Sequence, residues 1–330
     1  MTKKLELGIC LFELRSGKSQ EVRPWDLLEA AEWADEAGLE YLALPDRVSR
    51  PVPRFDTLTL MAALALRTQR IRLKTHVFVT PLRHPIELAR RIVTVDHLSG
   101  GRFIFAAGLG GGEKVEGAGV SVYHKEFVDV GIPRKERGRR TNEILEILRL
   151  LWTEPVASFQ GKYFQFQNVV FEPKPFQKPH PPIWVGGNSE AALSRAARFA
   201  NGWAGSLELA TVIFGSFPAA LSRLKDLMRD EGREGEPMHI SVCLKVNINP
   251  DAETARREAA EFWDLQLGSI EGAMPFGVKE EYGVYGPSEA LVDRLAEIKA
   301  MGVNSVILHL HSFELKAQLR RLGKEVLPRV

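Results

Sequence analysis

Eight short apolar runs, each followed by a segment of helical spacing, recur from one end of this 330-residue chain to the other. In order they are LELGICLF (Leu5–Phe12), YLALP (Tyr41–Pro45), IRLKTHVFV (Ile71–Val79), RFIFAAG (Arg102–Gly108), PIWVGG (Pro182–Gly187), GWAGS (Gly202–Ser206), HISVCLKVNI (His239–Ile248) and VNSVILHL (Val303–Leu310). Strands that alternate with helices pair in parallel, because each return crossover is long enough to hold a helix. Eight such units close into a (β/α)8 TIM barrel, with an open doubly wound sheet as the second choice. The helical segments carry the matching punctuation. PWDLLEAAEWADEAG opens on Pro24 and ends at Gly38, and HPIELARRIVTVDHLSGG closes on two glycines.

A single domain over 1–330 is expected, since barrels of this kind exceed 200 residues as one unit. The one irregularity is an insertion of about 113–180 between the fourth and fifth runs. It holds a helix at roughly Arg134–Trp152 and then ASFQGKYFQFQNVVFEPKPFQKPHPP, which reads as short strands and prolines. Such a segment is expected to elaborate the C-terminal mouth. The basic run RKERGRR (Arg134–Arg140) leads into this helix and reads as a solvated first turn rather than an anion site.

Net charge is +2, with 26% charged and 45% hydrophobic residues, so neither a nucleic-acid partner nor an anionic membrane surface is expected. Cys10 and Cys243 both lie in apolar strand-like runs, which points to a reducing compartment and a cytoplasmic protein. Trp184 and Trp203 follow strand spacing and are expected in the barrel wall.

The stretch LSGGRFIFAAGLGGGE (Leu98–Glu113) ends in a glycine cluster directly after a strand. It begins like a dinucleotide fingerprint, but Glu113 stands at the third glycine and no helix opens from the turn. It is not a P-loop either, because Lys114 is followed by valine. What remains is a glycine-lined surface against a flat or phosphorylated ligand, or a flexible loop.

Three blocks together resemble the luciferase-like family of flavin- and deazaflavin-dependent oxidoreductases: Thr80–Gly112, Glu136–Phe166 and Lys178–Trp203, with Glu32–Arg47 in agreement. The likeness is greatest to its deazaflavin-dependent branch. The resemblance implies a barrel that binds coenzyme F420, or alternatively FMN, at the C-terminal mouth, and a homodimer, which the apolar helices LTLMAALAL and IELARRIVTV also favour. It implies a non-prolyl cis peptide near His76-Val77, beneath the ring. It places Gly108, Gly110 and Glu113 at the border of the ring and substrate space. Gly186, Gly187, Asn188, Ser189 and Ser206 would cradle the ribityl and phosphate end. Asp46 matches an acidic position, but where relatives often carry histidine this chain has Arg47. Arginine does not give up its proton, so the proton donor falls to His76 or Glu113, and Asp46 would orient or protonate.

The expected activity is hydride transfer between F420 and a small organic substrate. The alternatives are an FMN-dependent monooxygenase that uses oxygen and a barrel that binds flavin without turnover. A remote alternative is a metal-dependent hydrolase built on His309 and His311, two apart on one strand; no further ligand set stands out, so no metal is expected. Tyr123, His124 and Lys125 would line the mouth or cap a loop.

Overall fold

The computed structural model describes residues 4–11, 23–49, 54–111, 122–267 and 282–330. The eight apolar runs become the eight strands of a closed parallel ring: β1 (Glu6–Cys10), β2 (Tyr41–Leu44), β3 (Arg72–Thr75), β5 (Phe103–Gly108), β8 (Ile183–Gly186), β9 (Gly202–Gly205), β10 (His239–Ile248) and β12 (Ser305–Leu310). β1 pairs with β12 and β9 with β10, so the ring has no open edge and the doubly wound alternative is excluded. A two-residue strand, β4 (Phe78–Val79), continues β3 beyond a break and pairs with β5. β11 (Gly283–Gly286) adds outside the ring against the upper half of β10.

Outside the strands lie α1 (Pro24–Glu36), α2 (Thr57–Arg67), α3 (Pro85–Leu98), α5 (Arg137–Thr153), α6 (Glu190–Phe199), α8 (Phe217–Asp230), α9 (Ala252–Leu267), α10 (Ser288–Ala300) and α11 (Leu315–Arg321). Their apolar stripes pack on alternate strand residues. Leu58, Met61 and Leu64 of α2 and Leu88, Ile92 and Val93 of α3 enter one continuous core with Leu7, Leu42, Leu73 and Phe103. Other apolar residues of the same two helices stay outside this core, Leu66 of α2 at 68% and Leu98 of α3 at 40% exposure. Among the described residues no single helix is long and apolar enough to cross a membrane.

The insertion divides into two parts. Its first part includes α4 (Val122–Asp129), whose Phe127 packs on Val79 and Leu82 at the C-terminal end of the barrel. In the second part the tip of a hairpin returns to the mouth side of the barrel, where Phe164 packs edge to face on His84 just ahead of α3 and Arg140 lies over Tyr163 and Phe164. The antiparallel hairpin of β6 (Ala157–Gln160) and β7 (Gln165–Val169) lies along α5, where the Glu143 carboxylate accepts from the backbone N–H groups of Lys162, Tyr163 and Phe164 at 2.9, 2.9 and 3.2 Å. The proline-rich stretch after it ties to the end of α3 and the start of β5. The Gln177 side chain donates to Asp96 and to the Phe103 carbonyl. The reason is connectivity: α5 has already carried the chain back to the N-terminal end of the barrel, from which β8 must start.

LSGGR proves to be a structural clasp at that same end. Gly100 and Gly101 take φ of 61° and 83°, a region unfavourable to side chains. This turn lets Arg102 reach across to the α2–β3 loop. Its guanidinium makes five hydrogen bonds, to Ser99 O, Thr68 Oγ1, Ile71 O, Ala65 O and Thr68 O, all between 2.7 and 3.0 Å. Removing it orphans several half-buried carbonyls at once. Arg102→Ala is expected to cost about 3 kcal/mol, read as a lower urea midpoint at unchanged slope. A loss below about 0.5 kcal/mol, the scatter of ordinary surface changes, would refute the clasp.

Candidate active site

The strand ends converge on a mouth whose floor is built by the break between β3 and β4. Lys74 is the last residue of β3 in register with β5, opposite Ile104, and pairing resumes at Phe78 opposite Ala107. Between them the His76-Val77 peptide is cis, as the resemblance implied. Groups outside the ladder take up several of the backbone partners stranded by this bulge. The Thr75 hydroxyl donates to Ala106 O at 2.9 Å and accepts from Ala106 N–H at 2.7 Å, replacing the missing ladder. His76 N–H donates to Leu44 O at 2.7 Å, and Val79 N–H to Asp46 Oδ2 at 3.0 Å.

The bulge turns Val77 toward β5 and β8, and both strands present glycine there. A Cβ on Gly108 would stand 2.2 Å from Val77 Cγ2, and one on Gly186 2.6 Å from Val77 Cγ1. Neither position tolerates any side chain while Val77 keeps its place. Gly110, with φ of 72°, is a different case: a Cβ there would meet Val79 and the Phe127 ring, so it makes room for α4. Glu113 lies outside the described residues, as do the side chains of Tyr123 and His124. Lys125 is exposed and pairs with Asp129 one turn on.

Asp46 is buried at the end of β2 and spends its carboxylate on scaffold. Besides Val79 N–H it accepts from Thr57 Oγ1 at 3.2 Å and from Arg83 Nη2 at 3.1 and 3.2 Å. Burial pushes its pKa up, and the Arg83 guanidinium opposes that. Its neighbour Arg47 turns toward the buried Glu126 of α4, at 3.6 Å, while Glu126 Oε1 accepts from Val48 N–H at 2.8 Å. The departure from the family pattern thus joins the mouth insertion to β2.

On the opposite rim, Asn188 joins two loops. Its amide donates to Ser206 O and accepts from Ser206 N–H, both at 3.0 Å. Ser189 caps α6 by accepting from Ala192 N–H, and Ser206 caps α7 (Leu207–Phe214) by accepting from Leu209 N–H, each at 3.3 Å. Gly187 turns between them at φ of 118°. Capping uses only an acceptor lone pair, so both hydroxyls keep a proton to donate.

Within the barrel the side chains stack in polar layers that sequence reasoning did not identify. At the N-terminal end Glu6 accepts from the Tyr41 hydroxyl and pairs with Arg72 at 3.1 Å, while His239 meets Ser305 Oγ at 2.9 Å and stacks on Trp184 with centroids 4.5 Å apart. Trp203, also buried, stacks on Phe217, so both tryptophans belong to the wall and core as expected. Above the floor, Lys74 is fully buried; its ammonium sits 4.4 Å over the Trp184 ring and 3.3 Å from Ser241 Oγ. Its alternate position on β3, pointing inward between Arg72 and His76, was the available signal.

His76 and His309 form the next layer, edge to face at 5.4 Å, with Cys243 beside them. Burial, and secondarily the Lys74 charge, pushes His76 down to about 3; burial also holds His309 well below the usual histidine range. His311 does not join His309. It lies against Phe262 and Trp263 of α9 and Tyr285 of β11, at 5.5, 5.6 and 6.3 Å, so each imidazole has its own surroundings.

Burial brings Lys74 down to about 7, from about 10.5 in an unfolded chain. The unfolded chain therefore binds the extra proton between those values, and stability present above pH ~10.5 is lost as pH falls toward 7. A Lys74→Met variant should show a flatter stability profile across this window in chemical denaturation. A profile parallel to that of the parent would show that the buried amine is not titrating there.

Comparison with known proteins accords with this geometry. The luciferase-like monooxygenase family model matches residues 6–305. An uncharacterized protein of Mycobacterium tuberculosis is 33% identical over 77% of this chain and 79% of its own length. An FMNH2-dependent dimethylsulfone monooxygenase of Pseudomonas putida is 24% identical over 95% and 90%, and an F420-dependent glucose-6-phosphate dehydrogenase of Nakamurella multipartita 23% over 94% of each. The crystal structure of monooxygenase RslO1 from Streptomyces bottropensis shares the fold with a TM-score of 0.83, at 24% identity over 98% of this chain and 99% of that one. A family model that spans nearly the whole barrel, with the break in the third strand at its mouth, makes this chain a member of the luciferase-like monooxygenase family.

Proposed function

We propose that the chain is an oxidoreductase that transfers a hydride between coenzyme F420 and a small organic substrate at the C-terminal mouth. The observation that carries a flat ring is Val77, lodged against Gly108 and Gly186 so that one apolar face backs the site. The likeness of Thr80–Gly112 and its flanking blocks to the deazaflavin-dependent branch favours F420, and so does the full-length likeness to the F420-dependent dehydrogenase of Nakamurella multipartita. When bound, F420 supplies a ring carbon that gives or takes the hydride.

The chain's own residues hold and orient. Val77 sets the depth of the ring, and His76 and His309 face it as neutral imidazoles, able to hydrogen-bond without adding charge. The Ser189 and Ser206 hydroxyls donate to the ribityl and phosphate end, beside the positive end of α6. Asn188 fixes the two loops that carry them, and Gly187 makes the turn. Asp46 is a positioning residue: its carboxylate keeps Val79 and Arg83 in place below the ring. Glu113 remains the candidate for proton exchange with the substrate. We also read the protein as a cytoplasmic homodimer, on the resemblance.

A second reading, oxygenation with reduced FMN, draws support from the likeness to the FMNH2-dependent monooxygenase, which extends over 95% of the chain. Parallel binding titrations with F420 and FMN, each oxidised and reduced, distinguish the two. F420 is expected to bind the more tightly, and a preference for reduced FMN would transfer the assignment to the monooxygenase. Gly186→Ala places a methyl group where Val77 now lies. It should weaken ring binding by at least about tenfold with the circular dichroism spectrum unchanged; unaltered affinity would overturn Val77 as the backstop.

A further inference from the structure

His76, Cys243 and His309 come from three different strands, β3's end, β10 and β12, and face one another across the top of the barrel interior. One ligating atom from each lies within 4.8 Å of the other two. All three residues are half-buried rather than sealed in the core. His76 Nδ1 is buried with no hydrogen-bond partner among the described residues. A polar nitrogen left in this state is costly unless something arrives to engage it.

We propose that this trio is a binding site for one zinc ion. Two imidazole nitrogens and one sulfur are the donor set that Zn2+ prefers over magnesium or calcium, which require oxygen. Three protein ligands leave a fourth position, which faces the mouth and would hold water or a ligand atom, as in open zinc sites. Around zinc, with Zn–N near 2.0 Å and Zn–S near 2.3 Å, neighbouring donors stand about 3.5 Å apart. Closing from 4.8 Å to that spacing requires adjustments of about 1 Å in the donor positions.

The surroundings are compatible with the ion. The two nearest cations each have another seat: Lys74 over the Trp184 ring and Lys245 over the Trp263 ring, 5.2 Å away. Binding forms one Zn–S and two Zn–N bonds, and the single proton lost is that of the Cys243 thiol, released to solvent with no change of oxidation state. The site is distinct from the His309-x-His311 pair, since His311 packs away against α9.

The test uses the full-length protein, thiols reduced and cofactor absent, titrated with Co2+ as a spectroscopic stand-in and then with Zn2+. One cobalt per chain should give thiolate-to-metal charge-transfer absorption, which one equivalent of zinc removes. Cys243→Ser should abolish that absorption, and His309→Gln should weaken zinc binding by at least about 100-fold, the most that even outer-shell partners cost. Cys10→Ser, which alters the other thiol, should change neither. Absence of the thiolate band at stoichiometric cobalt, or its survival in Cys243→Ser, would overturn the site. If Cys243→Ser does not fold, His309→Gln decides, and undiminished zinc affinity rejects the proposal. No cofactor enters the measurement, so this outcome is independent of the F420 assignment.

Discussion

A single valine side chain, held where the third barrel strand breaks, sets the shape of the mouth. Val77 occupies volume that belongs, on the two neighbouring strands, to the side chains that Gly108 and Gly186 lack. The contact is steric and admits little compromise, because both glycines are strand ends held by pairing, Gly108 to Val79 and Gly186 to Ala204. The bulge that delivers Val77 is held by groups outside the ladder: the Thr75 hydroxyl on one flank and the Asp46 carboxylate on the other. This explains why an acidic residue at the end of β2 is buried with an arginine and a threonine in contact. It replaces the ladder partner that Val79 N–H would otherwise lack.

Below the mouth, the barrel interior is more polar than a packed core requires. At the N-terminal end Glu6 is met by the Tyr41 hydroxyl, Arg72 and His239, whereas Lys74 one layer higher has an indole face and one hydroxyl for company. Burying an amine with so little compensation is expensive, and the cost is lowered by shedding the proton. The same low-polarity environment keeps His76 and His309 neutral. The His76–His309 pair thus offers hydrogen-bonding capacity toward the mouth without charge of its own.

All eight strands were legible in the sequence, because parallel strands buried on both faces read as short apolar runs bounded by proline and glycine. The bulge was legible only through family resemblance, since nothing in IRLKTHVFV marks the break after Thr75. Within Ala157–Pro182 the hairpin tip returns to the mouth side while the proline-rich stretch ties to the N-terminal end, a division that strand-like polarity does not reveal because it says nothing about which end a segment starts from. Arg47 could be seen to depart from the family pattern, but its partner Glu126 lies 79 positions on, in an insertion whose placement depends on tertiary packing. Asn188 was expected to meet a ligand; its two amide bonds to Ser206 show a loop-joining role that the sequence did not reveal, and each end of the amide keeps one further hydrogen-bonding position. The inward-pointing Lys74 and Cys243 were concealed in runs judged by average hydropathy, which cannot reveal that alternate positions from different strands meet inside a closed ring.

The two roles assigned to the top layer converge on His76. To face a ring, its imidazole must be neutral and fixed, with its nitrogens directed inward; to ligate zinc, it must be neutral with a lone pair unspent. Burial achieves both conditions by one means, since it removes the proton and withholds any competing hydrogen bond from Nδ1. What separates the roles is Cys243, which is not among the groups assigned to the ring and would supply the sulfur without which two imidazoles make a weak site. Zinc and the ring would then compete for one imidazole through different neighbours, Cys243 and His309 on the metal's side and Val77 on the ring's.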